Sequence, residues 1–138
     1  MIEDFTIKDA IYLVSGEHSL DLHNDYDFTE IKYSVAERSA ILTWRRSNGD
    51  WVHATMPLQV ELVFQGVSRF HFIHRDPEMP FTEDNCLSEA GFWTDEEWCD
   101  GVMIYEAAPA SNWLRAFAFQ SGAILAILAD EAKANVRR

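Results

Sequence analysis

Apolar and polar residues alternate along much of this chain with a period of two, the mark of half-buried strands. "IYLVS" (11–15) is a short apolar run, and the polar "EHSLDLHNDYD" (17–27) that follows reads as a turn. In "FTEIKYSV" the apolar positions are Phe28, Ile31, Tyr33 and Val35, with Lys32 and Ser34 between the last three. "AERS" then turns the chain and "AILTWRR" is the return strand. Asn48-Gly49 is a strong hairpin signal, because both residues tolerate the positive φ of a type I′ turn. It predicts a further strand in "WVHATM", ended by Pro57. Val60, Leu62 and Phe64 share one face of the next strand, and Gly66 marks a turn or bulge. In "RFHFIHR", residues Arg69, His71 and Ile73 alternate with Phe70, Phe72 and His74.

Residues 76–100 lose this period and read as loops and short helices. "GVMIYE" resumes a strand, and "WLRAFAFQ", "SG" and "AILAILA" form a closing hairpin. A short helix is expected through "DEAKANV", since Ala, Glu and Lys favour helix. The expected fold is β-dominated α+β, one domain over residues 1–138. It is an antiparallel meander of about eight strands forming a barrel or curved sheet, with short helices near 83–100 and at the C-terminus.

Three stretches carry a resemblance: the early "EI-x-Y" strand, the central strand ending in "F-x-GV", and the late "F-x-F-x-SG" hairpin. Together they resemble small β-rich bacterial domains of unknown function, among them immunity proteins that neutralise polymorphic toxins. The likeness covers about half the chain. It implies a small β-rich fold and, for the immunity proteins, a protein partner rather than catalysis. It transfers no functional residues.

Charge narrows the partners. With a net charge of −12, nucleic acid and anionic membrane surfaces are not expected. The excess is local: residues 76–113 hold ten acids and no Lys or Arg. Aromatics are interleaved there, namely Phe81, Phe92, Trp93, Trp98 and Tyr105. Acids around aromatic anchors steer a basic partner. The candidate partner-binding residues are therefore Phe92, Trp93, Asp95, Glu96, Glu97, Trp98 and Asp100. "TDEEW" also fits a capping box, Thr94 as N-cap and Glu97 three residues on, with Trp93 and Trp98 as a staple. A solvated, well-capped helix is the competing account of the same residues.

Other chemistry is thinly represented. There is no G-x-S-x-G, P-loop, G-x-G-x-x-G, H-E-x-x-H or C-x-x-C, so a common enzyme class and a cofactor are not implied. His18, Asp21 and His23 are the best metal-like set and define a metal-dependent enzyme as one alternative. His71 and His74 would face opposite sides of a strand. Cys86 and Cys99 suit a reduced pair, with neighbouring acids raising a thiol pKa. Arg45, Arg46, Arg69, Arg75 and Arg115 lie on predicted strands or at their ends, and an inward one could hold an anionic ligand in a barrel mouth, a second alternative. "MIEDFTIKDA" has no signal-peptide pattern and no run reaches membrane-spanning length, which gives a cytoplasmic expectation.

Overall fold

A computed structural model describes residues 1–94, 103–105 and 108–138. Among these residues the chain forms twelve strands and one short 3-10 helix. The first four strands are β1 (Ile2–Glu3), β2 (Thr6–Lys8), β3 (Tyr12–Ser15) and β4 (His18–Asp21). Next come β5 (Tyr26–Ser34), β6 (Ser39–Arg46), β7 (Gln59–Gln65) and β8 (Arg69–Ile73). The 3-10 helix Phe81–Asn85 precedes β9 (Leu87–Trp93), and β10 (Leu114–Phe119), β11 (Ile124–Leu128) and β12 (Glu131–Arg137) complete the chain. No helix among the described residues is long and apolar enough to cross a membrane.

The strands make three sheets, and neither large one closes into a barrel. One runs in the order β1-β12-β7-β6-β5, one β8-β11-β10-β9, and a small one β2-β3-β4. All pairings are antiparallel except β1 with β12. The two large sheets share one core. Ala40, Leu42 and Trp44 of β6 and Val60, Leu62 and Phe64 of β7 meet Phe117, Phe119, Leu125 and Ile127 there. The Trp44 ring lies 5.5 Å from Phe117 and 4.8 Å from Phe28, and Phe28 lies 4.7 Å from Phe119. These side chains fill the space that a ligand-holding barrel would leave open.

Local sequence explains the edge strand β5. Its register slips between Phe28 and Glu30, so Thr29 is a bulge residue. Phe28 stands opposite Trp44, Ile31 opposite Leu42 and Tyr33 opposite Ala40. The extra residue thus keeps Phe28 and Ile31, an odd number of residues apart, on one face. Gly122 adopts φ +88° in the tight turn joining β10 to β11, a conformation that favours glycine.

Several expectations are corrected. "WVHATM" is not a strand, and Gly49 is not in the left-handed region. Residues 47–58 form a loop between β6 and β7. Arg46 Nη1 donates to the Ala54 and Met56 carbonyls at 2.7 and 2.8 Å, and Tyr26 Oη donates to Pro57 O at 2.7 Å. These bonds hold the loop open, so β6 pairs with β7 directly. The consecutive positive-φ residues are Asp9 and Ala10, between β2 and β3.

The C-terminal helix is replaced by β12. Its residues pair with β7 from Glu131 opposite Gln65 to Arg137 opposite Gln59. Ala132 and Ala134 pack at the core while Lys133 faces out. The open edge of β7 outweighs helix propensity. Among the described residues, the helices expected near 83–100 reduce to Phe81–Asn85, with Leu87–Trp93 a strand in register with β10. The proposed capping box at Thr94 and Glu97 extends into residues outside the described set.

Candidate functional site

β5 and β8 are each one of the two outer strands of a large sheet, and they lie on the same side of the shared core. Between them runs a groove of about 500 Å³. Phe28 and Ile31 of β5, with Phe119 and Ala123 of the β10–β11 hairpin, make an apolar floor. Phe72 of β8 and Phe81 of the 3-10 helix rise beside it, 55% and 80% exposed. Near the β5–β8 seam, Tyr33 stacks on Phe70 at 4.6 Å and bridges the two sheets. Exposed apolar patches with polar rims mark interaction surfaces.

Arg75 fixes the far wall. Its Nε donates to Asp84 Oδ1 at 2.8 Å and its Nη2 to Met79 O at 2.6 Å, and its guanidinium lies 4.5 Å from the Phe81 ring centre. The hydrogen bond from Arg75, helped by one from Ser121, holds the Asp84 carboxyl below its usual pKa. The surroundings are acidic. Glu30 and Asp84 line the groove beside His74 and Arg75, Glu30 paired with Lys32 and Asp84 with Arg75, and Asp76, Glu78 and Glu83 lie in the adjoining segment.

A second cleft, of about 420 Å³, lies at the end of the core near β1. Arg115 of β10 forms part of its wall and is buried. Nε and Nη2 donate to the two Glu3 oxygens at 2.8 and 2.7 Å, and Nη1 donates to Gly91 O at 3.1 Å. Its guanidinium lies 3.8 Å from the Phe92 ring centre and 5.8 Å from that of Phe5. Of the five arginines considered for an anionic ligand, Arg115 is the buried one. Glu3 already occupies the position such an anion would take. Gly91 admits this arrangement because a Cβ there would sit 2.6 Å from Ile104 O. That carbonyl accepts from Phe92 N at 2.7 Å. At the rim the Tyr105 hydroxyl donates to Glu89, and burial, then Glu89, push its pKa up to about 12.

The sequence-derived candidates are placed as follows. Phe92 is 6% exposed, its ring turned in under Arg115. Trp93 is half-buried on the opposite face of the sheet, against Leu114, Ala116 and Ala126, with its ring edge to His71 at 6.0 Å. Asp95, Glu96, Glu97, Trp98 and Asp100 lie outside the described residues. The groove was not foreseen as a unit, because its walls come from residues 28–31, 72–84 and 119–123. The signals within reach were the acid run from Asp76 and an aromatic strand at Phe70 and Phe72.

The metal-like set does not assemble. Asp21 Oδ1 accepts from His23 N at 3.0 Å and Asn24 N at 2.9 Å, and Oδ2 accepts from Asn24 Nδ2 at 2.8 Å. His23 Nδ1 donates to Leu87 O at 2.5 Å. These contacts turn the chain after β4 and commit the polar atoms to structure. Among the described residues no three His, Cys, Asp or Glu side chains, including His18, Asp21 and His23, come together as a metal requires. Cys86 Sγ lies 3.6 Å from His23 Nδ1. Burial, then the Glu83 and Asp27 carboxylates, push its thiol pKa up, which opposes a thiolate nucleophile.

No family model matches the chain, and neither a curated protein nor a solved structure matches it. The functional reading therefore rests on the geometry of the groove.

Proposed function

We propose that this chain is a non-enzymatic binding protein that engages a basic protein through the groove between β5 and β8, in the manner of an immunity-type inhibitor. The observation that carries this reading is the pair of exposed rings, Phe72 and Phe81, beside an apolar floor. Aromatic anchors at the centre of a docking surface supply most of the affinity, and surrounding charges supply steering. The five carboxylates near the groove match a basic surface. The expected surface is thus shifted from Asp95–Glu97 towards Phe72, Asp76, Glu78 and Phe81.

The test compares three baits in a pull-down from source cells at low salt. These are the wild type, Phe72→Ser/Phe81→Ser, and Asp76→Lys/Glu78→Lys. The expected result is a basic protein held by the wild type, lost from both variants and released at about 0.5 M salt, where screening is nearly complete. A partner held equally by all three baits, or indifferent to salt, would sink the reading.

A further inference from the structure

The Asn48-Gly49 pair starts no hairpin, yet it carries a chemistry of its own. It lies near the start of the loop 47–58, and Asn48 is exposed. Among the described residues nothing bonds the Asn48 side-chain amide. The nitrogen that follows, Gly49 N, donates to Ser47 Oγ at a long 3.4 Å. Gly49 has no Cβ to crowd an approach to that nitrogen. Asparagine is a thermolabile residue because its Cγ is an electrophile. Attack on Cγ by the next backbone nitrogen closes a five-membered ring.

The other four asparagines are held. Asn24 Nδ2 donates to Asp21 Oδ2 at 2.8 Å, and the nitrogen after it, on Asp25, donates to Asp21 O at 3.0 Å. Asn85 ends the 3-10 helix, and Asn135 lies inside β12, paired opposite Glu61. After Asn112, Trp113 N donates to Ala110 O at 3.1 Å. Each is followed by a residue that has a side chain, namely Asp25, Cys86, Trp113 or Val136. Asn48 alone combines a free amide, a loop backbone and a following glycine.

We infer that Asn48 is a self-modification site, converted by its own backbone to an isoaspartyl or aspartyl residue. Gly49 N gives up its proton and attacks Asn48 Cγ. The new C–N bond closes a succinimide, the Cγ–Nδ2 bond breaks, and the proton leaves with the nitrogen as ammonia. Water then opens the ring. Opening at Cγ leaves aspartate, and opening at the main-chain carbonyl leaves isoaspartate, with the side-chain carbons inserted into the backbone. The iso product lengthens the chain beside Trp51. That ring packs on Gly49, where a Cβ would overlap it, and its Nε1 donates to Asn24 O at 2.8 Å. Gly49 O accepts from Val52 N at 3.1 Å. A longer backbone disturbs both contacts, and either product sets a new carboxylate beside Asp50. None of the described residues lining the groove comes from 47–58, so the modification is independent of docking there.

The test ages the folded protein at neutral and mildly alkaline pH, with and without urea, and digests it with trypsin. Mass spectrometry reads the change from amide to acid in each asparagine peptide, for Asn48 the peptide 47–69. A protease that cuts before aspartate but not before isoaspartate separates the two products at position 48. In the folded protein Asn48 should convert at least about tenfold faster than any other asparagine. The rate should rise with pH, and isoaspartate should be among the products. Urea should change the Asn48 rate by less than about tenfold, because the fold does not hold this residue. Asn48→Gln, whose ring would have six members, should leave the peptide unchanged. A smaller lead, a larger gain in urea, a rate that falls with pH, aspartate as the sole product or conversion that persists in Asn48→Gln would overturn the inference.

Discussion

Removing the Glu3 carboxylate tests the internal logic of the fold most sharply. Glu3 lies on the two-residue strand β1, at the edge of one large sheet, and Arg115 lies on β10 in the other. Their side chains are 12% and 4% exposed, and the ion pair is bidentate. In Glu3→Ala the guanidinium keeps only the Gly91 carbonyl and the faces of Phe92 and Phe5. Breaking one side of a buried pair costs about 3–5 kcal/mol, because the remaining charge stays desolvated. Against a domain stability of about 5–15 kcal/mol, that is about a fifth of the total or more. Urea unfolding should show the midpoint fall with an unchanged slope. The double variant Glu3→Leu/Arg115→Met removes both charges and should recover most of the loss. The two sites should therefore couple by about 2 kcal/mol or more. A Glu3→Ala cost below about 1 kcal/mol is the value for a solvated surface pair. That result, or simple additivity in the double variant, would refute the claim that this pair is buried and mutually dependent.

Two further outcomes follow from buried geometry. Burial, ahead of the weaker influence of Asp25 and despite Arg46, pushes the Tyr26 hydroxyl up to about 12, against an ordinary value near 10. The unfolded chain then releases this proton first, so stability is full below pH 10 and falls by about 2–3 kcal/mol as pH rises through 12. Urea midpoints across that window should drop more steeply in the wild type than in Tyr26→Phe, and equal slopes would refute the assignment. At Gly91, a Cβ would meet Ile104 O at 2.6 Å, so Gly91→Ala should cost about 1–3 kcal/mol and speed amide exchange at Ile104. An unchanged exchange rate there would show that residues 103–105 do not need the close approach.

Period-two alternation located β5 and β7, which are amphipathic, whereas β6 and the β10–β11 hairpin, largely buried on both faces, were legible as short apolar runs between turn residues. Even the bulge left a trace, in the step of three from Phe28 to Ile31 before the regular step to Tyr33. Asn48-Gly49 misled because a turn propensity does not know what will pair beyond it. Here Arg46 and Tyr26 bind carbonyls of the following segment and draw it into a loop. "EAKANV" misled for the opposite reason. Its propensity is helical, but small alanines fit the edge of β7, and pairing is decided there by a strand about seventy residues earlier. The ion pair of Glu3 with Arg115 was equally out of reach, since nothing local joins positions at opposite ends of the chain.

The acid-rich run reads differently once Phe81 has a place. A helix start accounts for Glu83 and Asp84, which lie in the first turn of the 3-10 helix, but not for Asp76 and Glu78, which precede it. Their neighbourhood holds a large apolar ring that folding alone gives no reason to expose. Arg75 makes the arrangement more specific, because it spends its guanidinium on Met79 O, Asp84 and the Phe81 ring together. A ring held outward by such contacts loses little freedom on binding, which lowers the entropic cost of association. Burying the exposed parts of Phe72 and Phe81 would supply on the order of 1–2 kcal/mol each. The acids cannot supply comparable affinity through solvated contacts, but they set the sign and rate of encounter. On the proposed docking reading, anchors and charges thus divide the work, Phe72 and Phe81 supplying affinity and the acids steering.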